Sequence, residues 1–444
     1  MVLIMLTSSP RCPVFAVASL LGFVFSPLLA AQDWPSFRGP NGDGTTTCRG
    51  VPIGGGGETK KNIRWRVDLA RPANGSPVVV AGRVFLTMPE DEDGKRRSLY
   101  CFDRQNGKEL WRRSVDFDKK MPTHVTNPYC GSTPAADAER VVVWHGSAGL
   151  WCYDLDGELI WKRELGEFRH RWGYGTSPLL FDGRVLLHSG PGKQPFVALF
   201  DAKDGTTIWQ QVEPLDDYGE DGMEPRLMGS WAMPVRIGTG AKATVLQVHP
   251  KRVVAYRYDD GALLWSTDGV SNKRGDLAYS TPVIAGDIAF LQGGYEGPSL
   301  GLRIGELEDG ETSRRAWYHE DVASSVGSGV CIDGKIYQPF MRDLVCYDAV
   351  SGALLWRERP GKGQLWGSIV VAEGRMYLMN QLGVTFVFRP NDKAFDMVAE
   401  NDLGEKTNST PAISDGELFL RTHTGLWCVG TKAIEPKGGA AERR

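Results

Sequence analysis

The chain is short of the signatures that usually announce chemistry. No Cys-x-x-Cys occurs and no two of the seven histidines stand four residues apart, which removes the common zinc-ligand spacings. No phosphate loop and no hydrolase nucleophile elbow is read. The formal charge is only −3 over 444 residues, whereas a nucleic-acid binder concentrates basic charge on one surface. No nucleic-acid partner is therefore expected. Beyond the N-terminus no apolar run approaches the ~20 residues of a spanning helix, and no segment shows a helical period. Order itself is not lacking. A 41% hydrophobic and 10% aromatic composition exceeds what a disordered chain carries.

The first residues read as an export signal. Arg11 is the one charge before Asp33, residues 14–29 are apolar apart from Ser19 and Ser26, and Ala30-Ala31 follow. That is the layout of a secretory leader, with cleavage expected after Ala31 although Leu29 then sits at the −3 position. The expected organisation is a signal peptide over 1–31, a Gly/Pro-rich arm over 32–62, a folded body over 63–430 and a loose tail over 431–444. The expected location is periplasmic or extracellular, with no integral membrane segment after cleavage. Gly54–Gly57 in the arm reads as a flexible linker across the body. Cys48, Cys101, Cys130, Cys152, Cys331, Cys346 and Cys428 remain, an odd number. Four of them recur at one repeat position, which points to buried thiols rather than a disulfide framework.

What the chain has in abundance is a repeat. Asp103…Gly107…Trp111, Asp201…Gly205…Trp209 and Asp348…Gly352…Trp356 share one spacing, and the units ending at Trp161 and Trp265 are one residue shorter. Trp317 and Trp65 are degenerate copies. A second marker, a small-residue step before an apolar run, occurs eight times, from Gly75-Ser76-Pro77 to Ser409-Thr410-Pro411. The steps lie roughly 40–57 residues apart, close to one four-stranded propeller blade. Within Ser76–Trp111 four short strands are separated by turn residues, with Asn106-Gly107 as a tight hairpin turn. The last unit stops after three strands, and Ile63–Asp68 supplies the missing fourth. The expectation is an all-β, eight-bladed propeller closed by an N-terminal strand, leaving no open seam. Trp65, Trp111, Trp161, Trp209, Trp265, Trp317 and Trp356 are expected to pack between blades, and the blade aspartates to cap their turns. The seventh unit has lost its Trp.

The A-x-D-x-x-x-G-x-x-x-W pattern resembles the tryptophan-docking repeat of the pyrroloquinoline-quinone (PQQ) β-propeller superfamily, over roughly residues 62–430. The leader over residues 33–44 looks like the opening of many exported bacterial PQQ-like repeat proteins. The superfamily holds quinoprotein alcohol dehydrogenases and non-catalytic members, among them a lipoprotein of the outer-membrane β-barrel assembly machine. The resemblance implies a ligand site where the loops leading into the first strands gather at one channel mouth. Those loops are aromatic and polar here. The binding candidates are Asn127, Tyr129, Arg171, Trp172, Tyr174, Arg226, Trp231, Tyr279, Trp366 and Asn408. Such residues stack on rings and bond their edges; they also make protein hot spots, or plug a channel by packing on one another. Asp217, Glu220 and Asp221 form an acidic stretch with a weak resemblance to a calcium site, against which stands a solvated loop.

The dehydrogenases of the superfamily often carry adjacent cysteines beside the quinone, and this chain has no Cys-Cys pair. No catalytic residue carries over. The leading expectation is an exported, monomeric, non-catalytic scaffold that binds a protein or small ligand at the mouth, with no cofactor assigned. A PQQ- and calcium-dependent oxidoreductase is the alternative. A subunit of the outer-membrane assembly machinery is a third reading, weakened because Cys12 precedes the apolar stretch and so does not stand as a lipoprotein acceptor.

Overall fold

Runs of five to eight residues rich in Val, Leu and aromatics, broken by Asp/Gly turns, can only bury both faces by stacking as small sheets. The computed structural model describes residues 32–307, 312–320 and 324–431. Among these, eight antiparallel four-stranded sheets follow one another, with helix confined to two 3-10 turns. Blade 1 comprises Val78–Val80, Arg83–Pro89, Arg96–Asp103 and Glu109–Asp116. Blade 8 takes three strands from the C-terminal region and its fourth, Ile63–Asp68, from the N-terminal region. Trp65 lies opposite Cys428 and Arg66 opposite Trp427 in that last ladder. The eight-bladed ring, its closure and its count are as expected. The leader over residues 1–31 and the tail beyond residue 431 lie outside the described residues.

Six of the repeated tryptophans lock their blade to the next. Indole Nε1–H groups donate across the seam from Trp65 to Arg104 O (2.8 Å), from Trp111 to Leu155 O (3.0 Å) and from Trp161 to Ala202 O (2.9 Å). Trp209 reaches Tyr258 O (2.8 Å), Trp317 reaches Ala349 O (2.9 Å) and Trp356 reaches Asn391 O (2.8 Å). Each accepting carbonyl belongs to the hairpin turn of the following blade. The glycine of that turn is needed for contact as much as for its backbone angle. A Cβ on Gly107 (φ +73°) would come within 2.8 Å of the Trp65 ring. Asp103 caps the same turn, accepting from Gln105 N at 2.7 Å.

Blade 7 is complete despite its missing Trp. Ala399 lies opposite Val387, the place that Trp356 takes opposite Cys346 in blade 6. The arm covers the gap. Gly57 N donates to Asp402 O (2.9 Å), and Gly55 N to the Asn401 side chain (2.9 Å). A Cβ on Gly55 would meet Val429 at 2.6 Å. The glycine run is thus packed onto blades 7 and 8, not a free linker, because its lack of side chains lets the backbone lie flat on them.

The repeat thiols are buried and free. Burial pushes Cys101, Cys152 and Cys346 up to about 12, so they stay protonated, and unreactive, through neutral pH. A native thiol titration of a chain spanning residues 32–444 should count one reactive cysteine, the partly exposed Cys331, and all seven only after unfolding.

Candidate functional site

The small-residue steps place one side chain per blade around the channel axis: Ser76, Thr133, Ser177, Met233, Thr281, Ser328, Ser368 and Thr410. They form a hydrogen-bonded belt. The backbone N–H of Ser76 donates to Thr133 Oγ1 (2.8 Å), Thr133 to Ser177 Oγ (3.0 Å) and Thr281 to Ser328 Oγ (2.9 Å). Ser328 donates to Ser368 Oγ (2.9 Å), Ser368 to Thr410 Oγ1 (2.9 Å) and Thr410 to Ser76 Oγ (3.0 Å). Met233 in blade 4 has no hydroxyl and interrupts the sequence of bonds.

The segment over residues 33–44 closes the channel below this belt. Trp34 pairs with Val79 of blade 1, Pro35 O accepts from Ala136 N of blade 2 (2.9 Å), and Gly44 O accepts from Val371 N of blade 7 (2.8 Å). Arg38, wholly buried, donates to Ile369 O (2.9 Å), Gly329 O (2.6 Å) and Asp43 O (2.7 Å). Burial lowers its guanidinium to about 10, still a cation at neutral pH. Phe37 is thereby held at the bottom of a cavity of about 450 Å³.

Above the belt, the mouth has an aromatic wall and a polar rim. Trp172 lies 6.0 Å from Trp231, 6.2 Å from Tyr279 and 5.5 Å from Tyr295, and Trp231 lies 5.4 Å from Tyr279. A parallel two-stranded ladder, Leu227–Ser230 with Gly275–Ala278, sets Trp231 beside Tyr279. Arg226 braces its start with two 3.0 Å bonds to Asp276. His170 packs edge-on beneath Trp231 at 4.7 Å. Its Nδ1 accepts from Trp172 N (3.0 Å), and burial lowers it to about 4, so it stands neutral at pH 7. On the rim, Asn127 Nδ2 donates to Trp172 O (2.7 Å) and Tyr174 O (3.0 Å), and Asn408 Nδ2 to Thr126 O (2.7 Å).

Of the ten candidates, Asn127, Trp172, Trp231, Tyr279, Trp366 and Asn408 line the cavity. The other four do not. Tyr129 and Tyr174 are buried against the guanidinium of Arg97, at 5.5 and 5.4 Å, Arg171 is exposed, and Arg226 braces the ladder. Sequence reasoning missed Tyr295, Phe37 and the belt side chains as cavity lining, although the belt is the repeat marker itself. Asp217 pairs with Lys251 (2.7 Å) and Asp221 with Arg169 (2.6 Å), while Glu220 is exposed. Among the described residues no group of three His, Cys, Asp or Glu is placed to hold a metal. The spacing G-x-S-x-G does occur, at Gly297…Ser299…Gly301. Ser299 opens a buried strand of blade 5, with none of the strand-to-helix turn that a nucleophile elbow requires.

None of the side chains lining the cavity is Asp, Glu, Lys or Arg. A PQQ cofactor carries three carboxylates, and a calcium ion takes six to eight oxygen ligands, usually several of them anionic. Neither fits this donor set. Of the titratable side chains that line the cavity, Tyr279 has its phenol held well above its ordinary value by burial, and His124 is the one imidazole.

Eight four-stranded blades, most of them joined by docking tryptophans, define a PQQ-like β-propeller. A family model described as outer membrane protein assembly factor BamB matches residues 57–115 and 95–338, and the chain belongs to that family. The quinohemoprotein alcohol dehydrogenase ADH-IIG of Pseudomonas putida is 21% identical over 240 residues, 50% of this chain. That match spans 32% of the dehydrogenase, about a third of its length. BamB from Moraxella catarrhalis superposes with a TM-score of 0.57 at 16% identity, covering 82% of this chain and 98% of that one. The quinohemoprotein alcohol dehydrogenase of Comamonas testosteroni gives 0.60 at 12% identity, covering 93% and 83%. These likenesses are of fold.

Proposed function

We propose that the protein is a non-catalytic binding propeller of the cell exterior whose ligand is a small uncharged molecule seated in the channel mouth. The observation that carries this is the neutral lining. A deep cavity within the ~300–1,000 Å³ range of small-molecule sites has an aromatic wall, amides and hydroxyls, one imidazole (His124) at its rim, and no carboxylate, ammonium or guanidinium to bind calcium or pair with a charged ligand. The segment over residues 33–44 that closes one end supports a blind site rather than a through channel. Among the described residues no helix is long and apolar enough to cross a membrane. The family's description as an outer-membrane assembly factor favours a second reading, in which the occupant is a loop of a partner protein.

The test is a calorimetric and fluorescence titration of the mature chain with PQQ and Ca²⁺. No saturable binding is expected up to high micromolar quinone. One-to-one binding weakened by Trp172→Ala would overturn the proposal and make an oxidoreductase the leading reading.

A further inference from the structure

The belt and the wall together narrow the ligand further. Six belt hydroxyls, those of Ser76, Thr133, Ser177, Ser328, Ser368 and Thr410, accept a backbone N–H from the preceding belt residue. One lone pair of each is thus engaged, and among the described residues none of these hydroxyls donates to a protein acceptor. Each keeps one O–H for whatever fills the channel. A ring of donors with amides above it suits a ligand covered in uncharged oxygen atoms.

The geometry of the wall points the same way. A flat heterocycle is held best between parallel rings separated by twice the ~3.5 Å contact distance. Here Trp172 and Trp231 are only 6.0 Å apart and tilted by 32°, and Tyr279 stands at 65° and 60° to them. They make a folded wall with no slot. A wall of that kind suits the C–H face of a puckered ring, whose opposite edge then reaches hydroxyl and amide groups.

We infer that the mouth binds a neutral saccharide, with Trp172, Trp231 and Tyr295 against the ring faces and the belt hydroxyls and Asn408 at its oxygens. The inference rests on the uncharged-ligand reading above. It is tested by calorimetry with the mature chain and neutral oligosaccharides (cellohexaose, maltohexaose, xylohexaose and chitohexaose), beside riboflavin and adenosine as uncharged heterocycles. At least one oligosaccharide should bind saturably, with an affinity unchanged between 50 mM and 500 mM salt. Tyr295→Ala, at an exposed position that leaves the fold intact, should weaken binding by about three- to tenfold, the scale of one aromatic contact. Trp231→Ala should weaken it by more, with the near-ultraviolet circular dichroism of the blades retained. Binding of riboflavin or adenosine with no oligosaccharide bound would overturn the saccharide while keeping an uncharged ligand. No binding of either class would overturn both.

Discussion

Replacing Glu417 by Gln should destabilise the protein by about 3–5 kcal/mol, the scale of breaking a buried ion pair from one side. Glu417 opens the second strand of blade 8 and is 4% exposed at its side chain. It meets Arg64 of the closing strand on one oxygen and Arg104 of blade 1 on the other, at 14% and 10% exposure. Arg104 Nη2 lies 2.9 Å from Glu417 Oε2 and donates at 2.8 Å to Ser414 O. One carboxylate therefore ties the N-terminal strand, the C-terminal blade and the first blade at the point where the ring closes. The amide keeps the shape and removes the charge, leaving Arg64 and Arg104 without their shared carboxylate and Arg104 with only the more distant, half-exposed Asp415 at 3.9 Å. Urea unfolding followed by tryptophan fluorescence reads the loss as a lower midpoint at unchanged slope. Replacing Arg64, Arg104 and Glu417 together by Met should recover most of it, since an apolar trio carries no unpaired charge. A loss below about 1 kcal/mol in Glu417→Gln, the range of a surface pair, would mean that the ring closes without this clasp.

That clasp was invisible in the sequence, whereas the closure it serves was not. Trp65 without a first strand before it, and a last unit ending after three strands, force Ile63–Asp68 into blade 8, because an unpaired edge is costly. Spacing carried the blades for the same reason: Asp, Gly and Trp are each required by a local contact that repeats. The mouth was legible only in part. Loops have no period, so nothing in the sequence says that Tyr174 turns inward onto Arg97 while Trp172, two residues earlier, lines the cavity. Nothing in the sequence distinguishes the parallel ladder from loop. Leu227–Ser230 and Gly275–Ala278 are four residues each, contain glycine, and pair across a whole blade, so no hairpin signal marks them. Arg226 looked free for a ligand because its partner, Asp276, is fifty residues away. The belt shows the opposite failure. Its residues stand out in the sequence as a repeat marker, and only the closed ring shows that a step before each first strand is also a step onto the axis.

The docking tryptophans should differ among themselves, and the difference tests how the blades are held. Trp209→Ala is expected to cost about 3–5 kcal/mol, the range for a buried large aromatic. Its ring is 6% exposed, lies 6.1 Å from Tyr256 and is bonded at 2.8 Å to Tyr258 O. Trp209→Phe keeps most of the packing and removes the bond, leaving a buried carbonyl unpaired at about 1–2 kcal/mol. Trp265 occupies the same register in the next blade, yet its ring is only partly buried and is covered by the guanidinium of Arg314 at 4.2 Å. A cation over an exposed ring contributes about 0.5–1 kcal/mol, so Trp265→Ala should cost about 1–2 kcal/mol including its partial burial. Urea midpoints of the three variants, measured side by side, decide the matter through their order rather than their absolute values. If Trp265→Ala equals Trp209→Ala, the seams are held by something common to both positions, and the buried indole bond is not what distinguishes a strong seam. If the order holds, the seam between blades 4 and 5 is weaker than that between blades 3 and 4. Trp231 leads into blade 4 and Tyr279 into blade 5, so loosening the seam between them would move the two halves of the aromatic wall against each other.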